Sequence, residues 1–171
     1  VFSAIGFDLT QKNLLAPLCM GAQLHFSVAE HYDPNALATT IEQDGITWIN
    51  CAPSAFYPLI NERNIVKLNS IQKLFFGGEP IRIDLMQDWL HSAYLQADIT
   101  NMYGPTECTD IATSYTLDDA RQHQGNIPIG TASSNVSLYV LDRKLNLLPQ
   151  GAIGELYIGG AGVGLGYLNN P

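Results

Sequence analysis

Asp98-Ile99-Thr100-Asn101-Met102-Tyr103-Gly104-Pro105-Thr106-Glu107 opens as a strand and closes as a turn. Residues 98–103 mix β-branched and aromatic side chains, as a pleated, half-buried surface requires. Gly104-Pro105 interrupts the run, and a hydroxyl and a carboxylate follow directly. In open α/β sheets, ligands bind just beyond the carboxyl ends of the strands. The neighbouring segments decide whether this strand belongs to such a sheet.

Upstream, short apolar strands alternate with helical patterns. Residues 23–28 read as a strand. Pro34–Gln43 reads as a helix, with Asp33 placed to cap it and Pro34 in its first turn. Residues 46–50 are β-branched and aromatic and read as a strand, and 53–60 carry Ala55, Phe56, Leu59 and Ile60 at helical spacing. A strand over 73–76 ends in Gly77-Gly78. Residues 83–93 place Met86, Trp89, Leu90 and Ala93 on one helix face, with Asp84, Gln87 and Asp88 opposite. A further strand is expected over 111–117. Such alternation predicts an α/β fold, a mainly parallel sheet built from right-handed βαβ units.

The pattern changes after Leu117. Residues 118–125 are polar and loop-like. Val136–Leu141 and 155–158 read as strands, and Pro149-Gln150-Gly151 between them suits a type I turn. The chain therefore divides into 1–117, an α/β portion, and 118–171, an antiparallel, barrel-like β portion. Val1 without an initiator Met, and an end at Asn169-Asn170-Pro171 after a Gly-rich run, suggest a piece of something longer.

Composition narrows the function. Hydrophobic residues make up 46% and charged residues 14%, which fits a folded domain. The net charge is -8, and Arg143-Lys144 is the longest basic cluster, so neither nucleic acid nor a membrane surface is an expected partner. No apolar run approaches the ~20 residues of a membrane span. Cys19, Cys51 and Cys108 form neither a disulfide framework nor a metal knuckle, and read as buried free thiols in a cytoplasmic protein. His25, His31, His91 and His123 lack metal-ligand spacing.

Three strand ends collect the chemistry. The first supplies Asn50, the second Gly77-Gly78-Glu79-Pro80, and the third Tyr103-Gly104-Pro105-Thr106-Glu107. Glycine lets backbone approach a flat ring, a Thr hydroxyl donates to a phosphate oxygen, and a Glu oxygen is a hard ligand for Mg²⁺. Adjacent Thr106 and Glu107 thus fit a Mg-nucleotide held at its phosphates. Ordinary turns at Gly77-Gly78 and Gly104-Pro105, with Glu107 solvated, remain open as the bland alternative. The glycine-rich run from Gly159 to Gly166 lacks the Lys-Ser/Thr ending of a Walker loop and reads as structural.

These residues resemble the adenylation domains of nonribosomal peptide synthetases, within the AMP-forming acyl and aryl ligase superfamily. Phe7-Asp8-Leu9-Thr10 looks like the motif whose aspartate binds a substrate α-amino group. Gly77-Gly78-Glu79 is similar to the adenine-contacting turn, and residues 101–107 match the NxYGPTE core at every fixed position. Gly154-Glu155-Leu156-Tyr157-Ile158-Gly159-Gly160, continuing to Gly166-Tyr167-Leu168, resembles the GELxIxG…GYL segment. The resemblance implies part of the large N-terminal subdomain of an AMP-forming ligase. It implies an adenine and nucleotide site at Gly77, Gly78, Glu79, Pro80, Asn101, Tyr103 and Thr106. Thr106 would serve in catalysis on phosphate, and Glu107 would ligate Mg²⁺. An amino-acid pocket would be lined by Asp8, Leu9, Lys12, Asn50, Phe75, Gly77, Met102, Asp110 and Ile111.

The implied reaction converts an amino acid and ATP to aminoacyl-AMP and pyrophosphate. Transfer to the phosphopantetheine thiol of a carrier protein follows, with condensation domains in the same parent chain. Lys12 and Asp110 bring opposite charges to an apolar pocket, either pairing with each other or meeting a polar substrate. An acyl-CoA or aryl-acid ligase is the nearest alternative, but it has no use for Asp8. A non-catalytic nucleotide-binding module is the alternative from another class. The family's upstream phosphate loop, ribose-binding aspartate and C-terminal lysine have no match here, and Leu165 stands where Arg is frequent. The 171-residue piece alone is therefore expected not to catalyse.

Overall fold

The computed structural model describes residues 1, 3, 5–27 and 31–169. Its first element, α1 (Asp8–Cys19), is a helix with no hydrophobic stripe. Thr10 and Asn13 are its buried residues, while Leu15 and Leu18 are exposed. The sequence patterning gave no sign of it, because apolar periodicity reports burial against a core and α1 is held by polar contacts. Residues 23–27 form no strand, contrary to expectation, and Val28 lies outside the described residues. β-Propensity needs a ladder to act on, and the described bonds to this backbone go to Val1 alone: Ser27 N–H donates to the Val1 carbonyl at 3.2 Å, and the Val1 amino group donates to the His25 carbonyl.

The second helix, α2 (Pro34–Gln43), has the expected bounds. The Asp33 carboxylate accepts from the Asn35 and Ala36 amides at 2.8 and 3.2 Å, and Leu37, Ala38 and Ile41 are buried. Strand β1 (Trp48–Cys51) starts two residues later than its sequence suggests. The helix expected over 53–60 splits into α3 (Pro53–Phe56) and a 3₁₀ turn, Tyr57–Leu59. Pro58 has no N–H for an i→i−4 bond, so the chain tightens and Ile60 donates to the Tyr57 carbonyl at 2.9 Å.

Strand β2 (Lys73–Gly77) is followed by a 3₁₀ turn, Ile83–Met86, and α4 (Gln87–Leu90). The expected helix over 83–93 ends early. The Ser92 hydroxyl donates to the Trp89 carbonyl at 2.8 Å and accepts from the Tyr94 amide at 3.2 Å, an alternative to further helix. Met86, Trp89 and Leu90 are fully buried as expected, but Ala93 is exposed.

Strand β3 (Asp98–Tyr103) has the bounds read from sequence. It pairs in parallel with β2, and β2 pairs in parallel with β1. The strand expected over 111–117 is shorter, β4 (Thr113–Thr116), and runs antiparallel to β3. A short β5 (Thr131–Ala132) completes the five-stranded order β1-β2-β3-β4-β5. The mixed sheet thus has a three-stranded parallel part with antiparallel strands beyond it. Strands β6 (Val136–Leu141) and β7 (Glu155–Gly160) form a separate antiparallel pair. Between them, Ala152 donates to the Pro149 carbonyl at 3.1 Å, and Gly151 has φ +87°. A positive φ at the third position makes this a type II turn and not type I.

Alternation divides the parallel strands cleanly. Ile49, Cys51, Leu74, Phe76 and Ile99 point to one face, where they meet Phe56, Trp89 and α2 in the core. The Phe56 ring lies 5.2 Å from Trp89 and 5.6 Å from Phe76. Trp48, Asn50, Phe75, Gly77, Thr100 and Met102 point the other way, toward α1. That second face carries four of the residues singled out for substrate, Asn50, Phe75, Gly77 and Met102.

Candidate functional site

Because β1, β2 and β3 are parallel, their carboxyl ends lie on one edge of the sheet. Register places Cys51 beside Phe76 and Gly77 beside Met102. A Cβ on Gly77 would stand 3.6 Å from the Met102 carbonyl oxygen and 3.7 Å from Leu9 Cδ1, so the start of α1 reaches the end of β2. Gly78 takes φ +84°, and Pro80 beyond it is exposed. The Glu79 side chain is committed elsewhere. It accepts from the Ser54 amide at 3.1 Å and the Ser54 hydroxyl at 2.8 Å. Burial raises the Cys51 thiol pKa well above the usual range, with the Glu79 charge adding to the effect.

The turn after β3 is built on close backbone approach. A Cβ at Gly104 would lie 2.2 Å from the Asp110 carbonyl oxygen and 2.6 Å from the Ala112 nitrogen, so only glycine passes there. Ala112 donates to the Tyr103 carbonyl at 2.9 Å, closing the loop, and Thr106–Cys108 forms a 3₁₀ turn inside it. Thr109 and Asp110 both adopt left-handed backbone, φ +60° and +73°. Thr106 and Glu107 emerge exposed, and Tyr103 is 40% exposed at the strand end. Asn101 differs. It is buried, and its amide donates to the Pro128 carbonyl at 2.8 Å, so it anchors the 126–128 segment.

On the opposite face, α1 is fastened over the sheet by two polar contacts. Asn13 donates to the Asn50 carbonyl at 2.9 Å, and Asn50 Nδ2 donates back to Asn13 Oδ1 at 2.6 Å. This pairing decides the amide orientations. Asn13 must present N–H to a carbonyl, so its oxygen faces Asn50, which must offer its own N–H. Asn50 Oδ1 is thereby left as a buried acceptor with no partner among the described residues. One residue earlier, Lys12 Nζ lies 2.6 Å from Asp110 Oδ2, an ion contact in which each side chain is about one-fifth exposed. Asp8 begins the helix and accepts from the Leu9 amide at 2.7 Å. Phe75, Thr100, Met102, Ile111, Ser114 and Ser133 line a cavity of about 390 Å³ on this face. A larger cavity of about 560 Å³ lies between residues 22–27, α2 and the outer edge of β1, where Asn13 and Asn50 border it.

The glycine-rich run read as merely structural docks on the Thr106–Thr109 turn. Gly164 donates to the Glu107 carbonyl at 2.8 Å, and the Thr109 hydroxyl donates to the Gly162 carbonyl at 2.7 Å. A Cβ at Gly162 would come within 2.9 Å of the Cys108 oxygen. The Tyr167 phenol then donates to Glu107 Oε1 at 3.2 Å. That bond and the Glu107 charge raise the Tyr167 pKa above its ordinary value, and Asp8 contributes more weakly. Sequence gave Asn13, Thr109, Gly162 and Tyr167 no site role, although Gly162 lies in the quoted glycine-rich run and Tyr167 in the quoted Gly166-Tyr167-Leu168 segment. The alternating glycines were the available signal.

Of the three cysteines, Cys51 and Cys108 are buried free thiols, whereas Cys19 is exposed. Among the described residues, no three His, Cys, Asp or Glu side chains gather into a metal cage, and no helix is long and apolar enough to cross a membrane. Glu107 stands alone as an exposed carboxylate. Mg²⁺ fits such a donor, since it keeps several waters and is held by one or two carboxylates plus substrate phosphates.

Comparison with known proteins bears on the family and the fold. The family described as AMP-binding enzyme matches residues 1–168. Bacitracin synthase 3 of Bacillus licheniformis is 34% identical over 172 aligned residues, which is 100% of this chain but 3% of that protein. An artificially fused adenylation-PCP di-domain NRPS, NpsA-ThdA from Klebsiella oxytoca, superimposes with a TM-score of 0.83 at 28% identity, covering 97% of this chain and 31% of its own. The nonribosomal peptide synthetase FmoA3 in its AMPPNP-bound form gives 0.86 at 25% identity, covering 99% and 19%. The chain therefore spans a small part of each of these proteins.

Proposed function

The chain belongs to the AMP-binding enzyme family, and on that premise we propose that it carries the amino-acid pocket and part of the nucleotide site of an adenylating ligase. The parent protein would join an amino acid to AMP and pass it to the phosphopantetheine thiol of a carrier protein, with condensation domains as neighbours. The observation that carries this reading is the convergence at one sheet edge of Tyr103, Thr106 and Glu107 with the start of α1, which brings Asp8. A carboxylate oxygen of the amino acid attacks the α-phosphorus of ATP. The bond from that phosphorus to the bridging oxygen breaks, and pyrophosphate leaves with the electron pair. The carrier thiolate then attacks the acyl carbon and AMP departs.

The chain's own residues would orient these partners. Asp8 holds the α-ammonium group, Tyr103 and the Gly77-Gly78 backbone border adenine, and Thr106 donates to a phosphate oxygen. Mg²⁺ at Glu107 would neutralise charge on the phosphates. Phe75, Met102 and Ile111 give the side-chain pocket an apolar wall. Lys12 and Asp110 offset each other's charge, which disfavours a charged substrate side chain. The free acceptor Asn50 Oδ1 supports an uncharged side chain that donates a hydrogen bond.

Amino-acid-dependent pyrophosphate release by the full-length protein tests the reading, with aryl and fatty acids in the same panel. Activity with an uncharged polar amino acid, lost in Asp8→Ala, is expected. Preference for an aryl or acyl acid, with Asp8→Ala indifferent, would favour the acyl and aryl ligase alternative. Nucleotide binding with no acid activated would favour a non-catalytic module.

A further inference from the structure

We propose that Tyr167 is a positioning residue for Glu107, and that the segment from Gly160 to Tyr167 is the strap that delivers it. The inference rests on the proposed role of Glu107 toward a Mg-nucleotide. Its starting observation is that Glu107 is otherwise badly placed to be precise. It sits on a three-residue 3₁₀ turn, exposed, with a flexible side chain. An unheld carboxylate on such a turn samples several rotamers, and each one loses alignment with a bound cation.

Two contacts correct this from outside the turn. Backbone order comes first, through Gly164 N–H to the Glu107 carbonyl at 2.8 Å and Thr109 Oγ1 to the Gly162 carbonyl at 2.7 Å. These clamp both sides of the residue. The strap is itself moored at its start, where Ala161 donates to the Asn135 carbonyl at 3.0 Å. The side chain is ordered second, by the Tyr167 O–H on Oε1 at 3.2 Å. A donor on one carboxylate oxygen fixes the plane of the group and leaves Oε2 free for a cation, which is how an outer partner orients a ligand. Glycines at 162 and 164 let the strap lie against the carbonyls of Cys108 and Glu107, and the 2.9 Å approach at Gly162 shows that a side chain there would lift it.

The test uses the full-length protein and reads binding as well as turnover. Binding of a non-hydrolysable ATP analogue is titrated by calorimetry with and without Mg²⁺ in wild type, Tyr167→Phe, Glu107→Ala and the double variant. Tyr167→Phe removes one hydroxyl and should raise the half-saturating Mg²⁺ concentration about two- to five-fold, the range for an exposed hydrogen bond to a charge. Binding without Mg²⁺ and the KM for the amino acid should stay put. In the Glu107→Ala background the Tyr167 change should add nothing. Thr109→Val should move the Mg²⁺ titration the same way, and Thr109→Ser should restore it. Two results overturn the proposal: a Mg²⁺ titration unmoved by Tyr167→Phe while Glu107→Ala shifts it, or equal loss of binding with and without Mg²⁺. Should Glu107→Ala itself leave the titration unchanged, the fault lies in the role given to Glu107, and the strap's proposed purpose goes with it.

Discussion

Removing one partner of the Lys12–Asp110 contact at a time gives opposite predictions for the two variants. The groups stand 2.6 Å apart, each about one-fifth exposed, on opposite walls of the cleft between α1 and the sheet. As a pair they present little net charge. Asp110→Ala leaves an ammonium group facing the cleft, and Lys12→Ala leaves a carboxylate. A substrate charge about 4 Å from the survivor gains about 4 kcal/mol at an effective dielectric of about 20. Desolvation of the substrate charge returns part of that, so a net gain of about 1.4–2.8 kcal/mol, or about ten- to a hundred-fold in kcat/KM, is a reasonable target. Asp110→Ala should therefore admit acidic amino acids, and Lys12→Ala basic ones. The assay is pyrophosphate release by the full-length protein across a panel of amino acids. An apolar double variant should lose both new preferences and keep the original neutral one. Shifts of the same sign in both single variants, or none in either, would refute the placement of this pair in the substrate pocket.

Two further outcomes follow from backbone crowding and burial. Gly104→Ala drives a Cβ into backbone on two sides, at Asp110 and Ala112, and should displace the whole 103–110 turn. Nucleotide binding, followed by calorimetry, should fall by more than about ten-fold while the buried Trp89 keeps its native fluorescence; wild-type affinity would show that the turn tolerates the shift. Maleimide labelling of the native protein, mapped by peptide mass spectrometry, should mark exposed Cys19 and spare Cys51 and Cys108. Burial raises the Cys51 pKa, so its thiolate is suppressed at neutral pH, and labelling at the Cys19 rate would contradict the packing around β1.

How much of this was legible in sequence depended on where each piece gets its stability. Helix α2 and strand β3 were read with correct bounds because each carries its own signals, a capped N-terminus in one and a β-branched run closed by Gly-Pro in the other. The pieces that failed take their form from partners distant in sequence. Residues 23–27 have strand composition without a described ladder. Helix α1 has no apolar stripe because Asn50 and Asp110, far along the chain, hold it. Pro58 and Ser92 were visible, but their power to break a helix was outweighed in the reading by good apolar spacing. The candidate site followed the same rule. Its strand-end residues were legible as a motif, and Tyr167 as part of another, whereas the contacts that Asn13 and Tyr167 make lie across the fold, with Asn50 and Glu107, and no local pattern encodes them.

That division has a consequence for how the site can change. The core lies on one face of the sheet, where Trp89, Phe56 and Phe76 are fully buried, and it sets stability. The proposed pocket lies on the other face, closed by α1 through two amides and one ion pair. A wall held by polar contacts contributes little to global folding, since each such bond is worth only about 1 kcal/mol net. It can therefore be altered at Leu9, Lys12 or Asn13 without unfolding the sheet that presents Thr106 and Glu107. The proposed pocket and the proposed nucleotide site are in this way mechanically separate, although both meet at the end of β2, where a Cβ on Gly77 would contact Leu9 on one side and Met102 on the other. Gly77 is the position where the two cannot be changed independently. A Cβ there would rest in ordinary contact with both, so a side chain larger than alanine's is what would press on the pocket wall and on the strand leading to Thr106 at once.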